Sequence, residues 1–265
     1  YKSRVHIGFL AAIVAASNAG GAGSVVGDTT TTMMWIAGKS PLEVMHAYVG
    51  AIACVAVFAI PAALAQHKHQ PAARPTGGKP RVDWMRVGIV AFILVAAVSA
   101  NVIATIFAPT FSDHFPVIGV AVWGAILLAA PIRHTEWSAL NEAGKGTLFL
   151  VALVLAASLM PVEALPAASW QSAFSLGLIS AVFDNIPLTA LALDQGNYDW
   201  GLLAYAVGFG GSMTWFGSSA GVAVSNIFPQ ARSVVAWSRA AWWLPAAYIV
   251  GFLVMLGTLG WHPTP

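Results

Sequence analysis

The stretch SNAGGAGSVVGDTTTTMMW, residues 17–35, decides how this chain is read. It lies inside an otherwise apolar segment, yet it carries adjacent glycines, a run of hydroxyl residues and an aspartate. Paired glycines let a helix unwind, and unwound backbone frees carbonyls and amides that lipid cannot satisfy. Such backbone is tolerated at membrane depth only where it faces a cavity, a bound ion or other protein. An ionised aspartate within a span costs at least ~2.5 kcal/mol on insertion scales. Asp28 is therefore read as a functional group, against the plainer alternative of a carboxylate that only caps a helix.

The surrounding composition supports a membrane setting. Hydrophobic residues make up 58% of the 265-residue chain and charged residues 8%, where a soluble domain carries about 25% charged. So few charges cannot cover a water-facing surface, so the solvent around most of the chain is lipid. A nucleic-acid partner is not expected. The first apolar segment is too long and glycine-rich for a removable signal peptide, and further spans follow it. Tyr1 is not an initiator residue, so a processed product, one half of a split protein or a sequence lacking its start is expected. Cys54 sits in an apolar run and reads as a small core residue. His67 and His69 could hold a metal, but solvated loop histidines are far commoner.

Length and punctuation, rather than helical periodicity, place the segments, because lipid-facing and core-facing sides are both apolar. Segment A covers about 5–37 and is interrupted near its middle. B runs from Glu43 to about Ala65, C from about Met85 to Ala108, D from Pro116 to about Ile132, and E from Thr147 to about Met160. Residues 169–193 are broken at Asp184-Asn185-Ile186-Pro187 and read as a re-entrant hairpin. F spans about 200–226, again interrupted, and G about 241–260. Residues 228–240 are expected as an interfacial helix with Arg232 and Arg239 on one face and Trp237, Trp242 and Trp243 at headgroup depth. Gln66–Asp83, with three prolines and Gly77-Gly78, reads as a flexible linker between two halves. With the hairpin returning to its own side, eleven of the twelve Lys and Arg fall on one side and only Lys39 on the other. The positive-inside bias then puts the N-terminus in the cytoplasm and the C-terminus outside.

An internal repeat emerges when Gly20-Gly21 is aligned with Gly210-Gly211, a constant offset of 190. Ser24 then meets Thr214, Gly27 meets Gly217, Asp28 meets Ser218 and Thr29 meets Ser219. Loop parity makes segments A and F run in opposite directions, as an inverted repeat requires. Two interrupted helices in corresponding positions point to a transporter's binding site. Apart from Glu43 at the first position of segment B, Asp28 and Asp184 are the only acidic residues within the expected spans. Around Asp28, Ser24 and the Thr29–Thr32 hydroxyls form an oxygen-rich setting suited to a hard monovalent cation. Asp184 and Asn185 stand where Pro187 can open the next half-helix.

The strings 17–35, SAVFDNIPL (180–188) and GFGGSMTWFGSSAGVAV (208–224) resemble signature stretches of the NhaD-type sodium/proton antiporters. These belong to a wider superfamily that includes arsenite permeases and citrate or dicarboxylate carriers. The resemblance covers essentially the whole chain and implies an all-α membrane protein with two inverted repeats, each holding a hairpin and a broken helix. Residues 1–65 would then end the first repeat, 66–83 link the two, and 84–265 form the second. The first hairpin and the initial scaffold helices would be missing, leaving about seven spans. Asp28 and Thr29 match the acidic motif of the first broken helix, Asp184 and Asn185 the second hairpin tip, and Gly210–Ser219 the second broken helix. The candidate cation ligands are Asp28, Thr29, Ser24, Asn18, Asp184, Asn185, Thr214, Ser218 and Ser219, with backbone at Gly20, Gly21, Gly210 and Gly211. Asp28 and Asp184 are the expected Na+ ligands.

Exchange of Na+ or Li+ for H+ at buried aspartates is the leading reading, with no cofactor and no enzymatic activity. Partners would be the lipid bilayer of the cell (inner) membrane, a segment or second chain carrying the first hairpin, and a second copy in a homodimer. Alternatives stay open: a sodium-coupled anion carrier, disfavoured by the acidic hairpin tip, or a non-transporting half-transporter subunit. An intramembrane aspartyl protease would need glycine where Val25 stands, and arsenite export lacks a cysteine or methionine cluster.

Overall fold

The computed structural model describes residues 5–71, 82–107, 115–133 and 166–264, with scattered positions between 134 and 165. Among these the chain is helical, and the one β-type pairing is an isolated bridge between Tyr198 and Thr264. The expected segment E and residues 72–81 of the expected linker lie largely outside the described residues. The chain divides into two compact units, Tyr1–Ala73 with Leu148–Pro265, and Arg74–Thr147.

In the first unit, α1 (Ile7–Ala22) and α2 (Thr29–Ile36) are the halves of segment A. A short α3 (Pro41–Met45) leads into α4 (Ala47–His69), which carries the apolar residues of segment B and continues past Gln66. The first four residues of the expected linker are therefore helical. Helices α7 (Trp170–Ser180) and α8 (Asn185–Gln195) occupy the stretch 169–193, with a break between Ser180 and Asn185. Segment F becomes α9 (Trp200–Gly210), a 3-10 turn at Gly211–Met213, and α10 (Ser219–Ile227). After a 3-10 turn at Pro229–Arg232 come α11 (Val234–Ala240) and α12 (Trp243–Leu259), bent against each other by 62°. Pro41–His69 is long and apolar enough to cross a membrane as it stands; α1 is a shorter apolar helix.

The core is built around α9, every residue of which is buried. It packs on α1, α4, α7 and α12. Small residues set these crossings, as expected where helices associate by close packing rather than by a hydrophobic drive. A side chain at Gly210 would run into the carbonyl oxygen of Gly177 on α7, and one at Gly50 into Tyr205 and Met255. The Tyr205 ring stacks on Phe209 at 5.6 Å and on Tyr248 at 6.0 Å. Its hydroxyl donates to the Ala247 and Tyr248 carbonyls, and the Tyr248 hydroxyl donates to the Phe174 carbonyl at 2.6 Å. These buried phenols thus meet the rule that a polar tip in an apolar core finds a partner.

The stretch 228–240 departs from its expectation. It is two pieces rather than one helix, and Trp237 is fully buried, with its indole Nε1 donating to the Ser212 carbonyl at 3.3 Å. Arg232 does not share a helical face with Arg239. It folds back to cap α10, donating to the Ser225 carbonyl at 3.2 Å and to Asn226 Oδ1 at 2.9 Å. Pro229 ends α10, and the orphan carbonyls at that helix end are what the guanidinium satisfies.

The second unit contains α5 (Trp84–Phe107), whose first 21 residues are long and apolar enough to span, packed on α6 (Val117–Ala129). They carry segments C and D. Asp83 precedes α5, accepts from the Arg86 backbone N–H at 3.2 Å, and pairs with Arg133 at 2.7 Å.

Candidate cation site

The break between α1 and α2 and the break between α9 and α10 close in the same way. A Cβ at Gly21 would stand 2.7 Å from the Gly27 carbonyl oxygen, and at Gly211 a side chain would meet the Gly217 carbonyl oxygen. A Cβ at Gly27 would in turn lie 2.9 Å from Gly21, and one at Gly217 would lie 2.7 Å from the Gly211 carbonyl oxygen. Each pair lets the chain fold back on itself before the next half-helix begins. That half-helix is capped by Asp28 in one case, with φ −144° and ψ 154°, and by Ser218 in the other, with φ −151° and ψ 155°. The residues Gly21, Gly27 and Asp28 thus match Gly211, Gly217 and Ser218 in structure at the sequence offset of 190.

In the first break the unwound turn falls after the paired glycines, whereas in the second Gly211 itself opens the 3-10 turn. Helix α1 runs through Gly20 and Gly21 to Ala22, and α9 runs through Gly210. Gly20 faces open space, whereas Gly21, Gly210 and Gly211 sit at close approaches. The Thr29–Thr32 hydroxyls divide between two tasks. Thr29 and Thr30 serve the Asp28 carboxylate. Thr31 donates to the Ser24 carbonyl at 2.6 Å and Thr32 to the Val25 carbonyl at 2.8 Å, so these two satisfy carbonyls freed by the break.

Four donors converge on Asp28. Oδ1 accepts from the Thr29 backbone N–H at 2.7 Å and the Thr29 hydroxyl at 3.2 Å. Oδ2 accepts from the Thr30 hydroxyl at 2.8 Å and the Asn185 amide at 3.2 Å. Asn185 is the first residue of α8, and Asp184 caps that helix through the Ile186 N–H at 3.1 Å. Helices α2 and α8 pack together, so two carboxylates stand at the N-termini of two neighbouring half-helices. Those ends carry partial positive charge that favours an anionic side chain. Asp28 and Asp184 are both half-buried. Beside them an open cleft of about 510 Å³ is lined by Val26, Gly27, Asp28, Thr29, Thr32, Met33 and Ile186. Carboxylates and hydroxyls are hard oxygen donors, and among the described residues no three His, Cys, Asp or Glu groups converge. Such a set suits an alkali cation rather than a transition metal.

Asn18, Ser212 and Ser218 make a separate buried polar centre. The Asn18 amide donates to Ser212 Oγ at 2.9 Å and to Ser218 Oγ at 3.0 Å. Asn18 and Gly208 are also offset by 190, and a Cβ at Gly208 would lie 3.6 Å from Asp28 Oδ2. Each long half-helix therefore touches the cap of the opposite short one. Thr214 donates to the Ala181 carbonyl and accepts from the Gly217 N–H at 3.1 Å, tying the end of α7 to the second break. Ser24 lies in the first break, its Oγ accepting from the Val26 N–H at 3.4 Å, and Ser219 is exposed at the start of α10. Sequence reasoning did not single out Ser212 or Gly208. Only their place opposite residues on the first broken helix could have marked them.

The chain is 29% identical over 247 residues to "Sodium/proton antiporter 1" of Arabidopsis thaliana, covering 80% of this chain and 42% of the relative. It is 26% identical over 296 residues to "Na(+)/H(+) antiporter NhaD" of Halomonas elongata, covering 92% and 58%. The protein of the same name from Vibrio cholerae is 29% identical over 266 residues, covering 80% and 53%. The chain thus spans about half the length of the curated relatives it matches. No family model matches it. No solved structure matches it.

Proposed function

The chain is a relative of the NhaD-type sodium/proton antiporters, and from that premise we propose that it carries the cation site of a secondary exchanger moving Na+ or Li+ against H+. The observation that carries this reading is the meeting of Asp28 and Asp184 at the ends of α2 and α8, joined through Asn185. A carboxylate must be deprotonated to hold an alkali cation, so proton and cation compete for one site. That competition alone couples their gradients. The breaks of α1–α2 and α9–α10, with their reciprocal contacts, support an inverted repeat in which α7–α8 is a re-entrant hairpin. Alternating access would then come from movement of this interrupted bundle against scaffold helices. The loop charges orient the N-terminus of the chain to the cytoplasm of the cell membrane.

The test is proton movement driven by Na+ or Li+ in proteoliposomes carrying the full-length protein. Asp184→Asn and Asp28→Asn keep size and hydrogen bonding while removing the titratable group, and exchange should collapse in both. Exchange retained in the double variant would overturn the mechanism.

A further inference from the structure

The second unit holds a groove with a charged rim. Trp84, Met85, Gly88 and Phe92 on α5, Leu128 on α6 and Ile132 in the turn that follows it line an apolar cavity of about 340 Å³. That volume lies within the roughly 300–1,000 Å³ range of small-ligand pockets. The groove follows the first turns of α5 and the last turn of α6. At that same end, Asp83 pairs with Arg133 at 2.7 Å and with Arg86 at 3.7 Å. Two guanidiniums thus share one carboxylate, leaving one excess positive charge. Both stay accessible, with side-chain exposures of 64% for Arg86 and 40% for Arg133. Each guanidinium has five donors in a planar fork, so one contact to Asp83 leaves N–H groups for a second anion. The occupant must therefore pair a long apolar body with an anionic head.

We propose that this groove binds one anionic phospholipid, an acyl chain lying against Gly88 and Phe92 with its phosphate on Arg86 and Arg133. Basic pockets between membrane helices recognise lipid headgroups in this way. Gly88 is suited to the role because nothing stands within 4 Å of where its Cβ would be, so the chain can lie close to the α5 backbone.

Native mass spectrometry of the purified full chain, titrated with phosphatidylglycerol or with phosphatidylcholine of the same acyl chains, tests this. One phosphatidylglycerol per chain should be retained roughly 5- to 30-fold more tightly, the effect of one or two basic side chains on a headgroup whose phosphate charge no choline ammonium cancels. Arg86→Gln with Arg133→Gln should erase the preference, and Gly88→Leu should weaken retention of both lipids. Arg86→Gln alone leaves the Asp83–Arg133 bridge intact and should still reduce the preference, whether or not the double variant folds. Equal retention of the two lipids, or an unchanged preference in Arg86→Gln, would overturn the proposal. So would a dimer that Gly88→Leu dissociates while lipid retention stays the same, which would make the groove a contact between copies.

Discussion

The side-chain amide of Asn185 donates to Asp28 Oδ2 at 3.2 Å, joining residues 157 positions apart. A hydrogen bond to a charged group contributes about 1.5–3 kcal/mol. Asn185→Ala should therefore raise the Na+ concentration for half-maximal exchange by roughly 10- to 100-fold. The helix should persist, because Asp184 supplies the cap of α8. Sodium titration of exchange in proteoliposomes checks this, and an unchanged half-maximal concentration would remove Asn185 from the site.

Thr30 and Thr31 are adjacent and both fully buried, yet their hydroxyls serve different ends. Thr30→Val keeps the branched shape and removes a donor to Asp28, so it should shift the pH dependence of exchange with little loss of stability. Thr31→Val leaves the Ser24 carbonyl without that donor and should destabilise by about 1–3 kcal/mol. Thermal unfolding in detergent, run beside the exchange assay, separates the two; equal effects on both readouts would contradict the division.

The glycines of the first motif and its counterpart should differ sharply. Gly20 is helical, exposed and faces open space, so Gly20→Ala should be neutral or stabilise by up to about 1 kcal/mol. Gly210→Ala drives a methyl into the Gly177 carbonyl oxygen and should destabilise by about 1–3 kcal/mol or prevent folding. Comparable melting temperatures for the two variants would count against the α7–α9 crossing.

Asp83 offers a pH signature outside the spans. The Arg86 backbone N–H first, and the neighbouring Arg133 and Arg86 charges next, hold its carboxyl below the usual carboxylate range. A group depressed in the folded state contributes stability above its unfolded pKa and loses it as pH falls through the folded value. Arg133→Gln should move the Asp83 carboxyl titration upward, read by NMR of a carboxyl-labelled sample. No upward movement would mean the 2.7 Å pair does not persist in solution.

Much of the candidate site is legible in residue types and their order. Glycine, proline and buried acid within apolar runs are local features, and they mark the breaks near Asp28, Asp184 and Thr214. The offset of 190 pairs Asp28 with Ser218, and both cap a half-helix with nearly the same backbone angles. The paired glycines mislead in one respect. Gly20 and Gly21 stay helical, because a glycine allows unwinding but does not force it, and the chain turns where Gly21 and Gly27 meet. The habits of interfacial residues put Trp237 and Arg232 at the membrane surface, whereas a buried partner at Ser212 and an open helix end at Ser225 decide their positions.

By itself, then, the sequence determined a membrane chain, the positions of its interruptions and the two aspartates that sit at them, since each is written in residue type and local order. The tertiary structure alone decided which groups meet. That Asn185 reaches Asp28, that Asn18 reaches Ser218, and that Gly177 lies under Gly210 depend on helix faces that are apolar all round. With lipid outside and core inside equally apolar, no period in the sequence says which face turns inward. Close packing of small residues makes that choice.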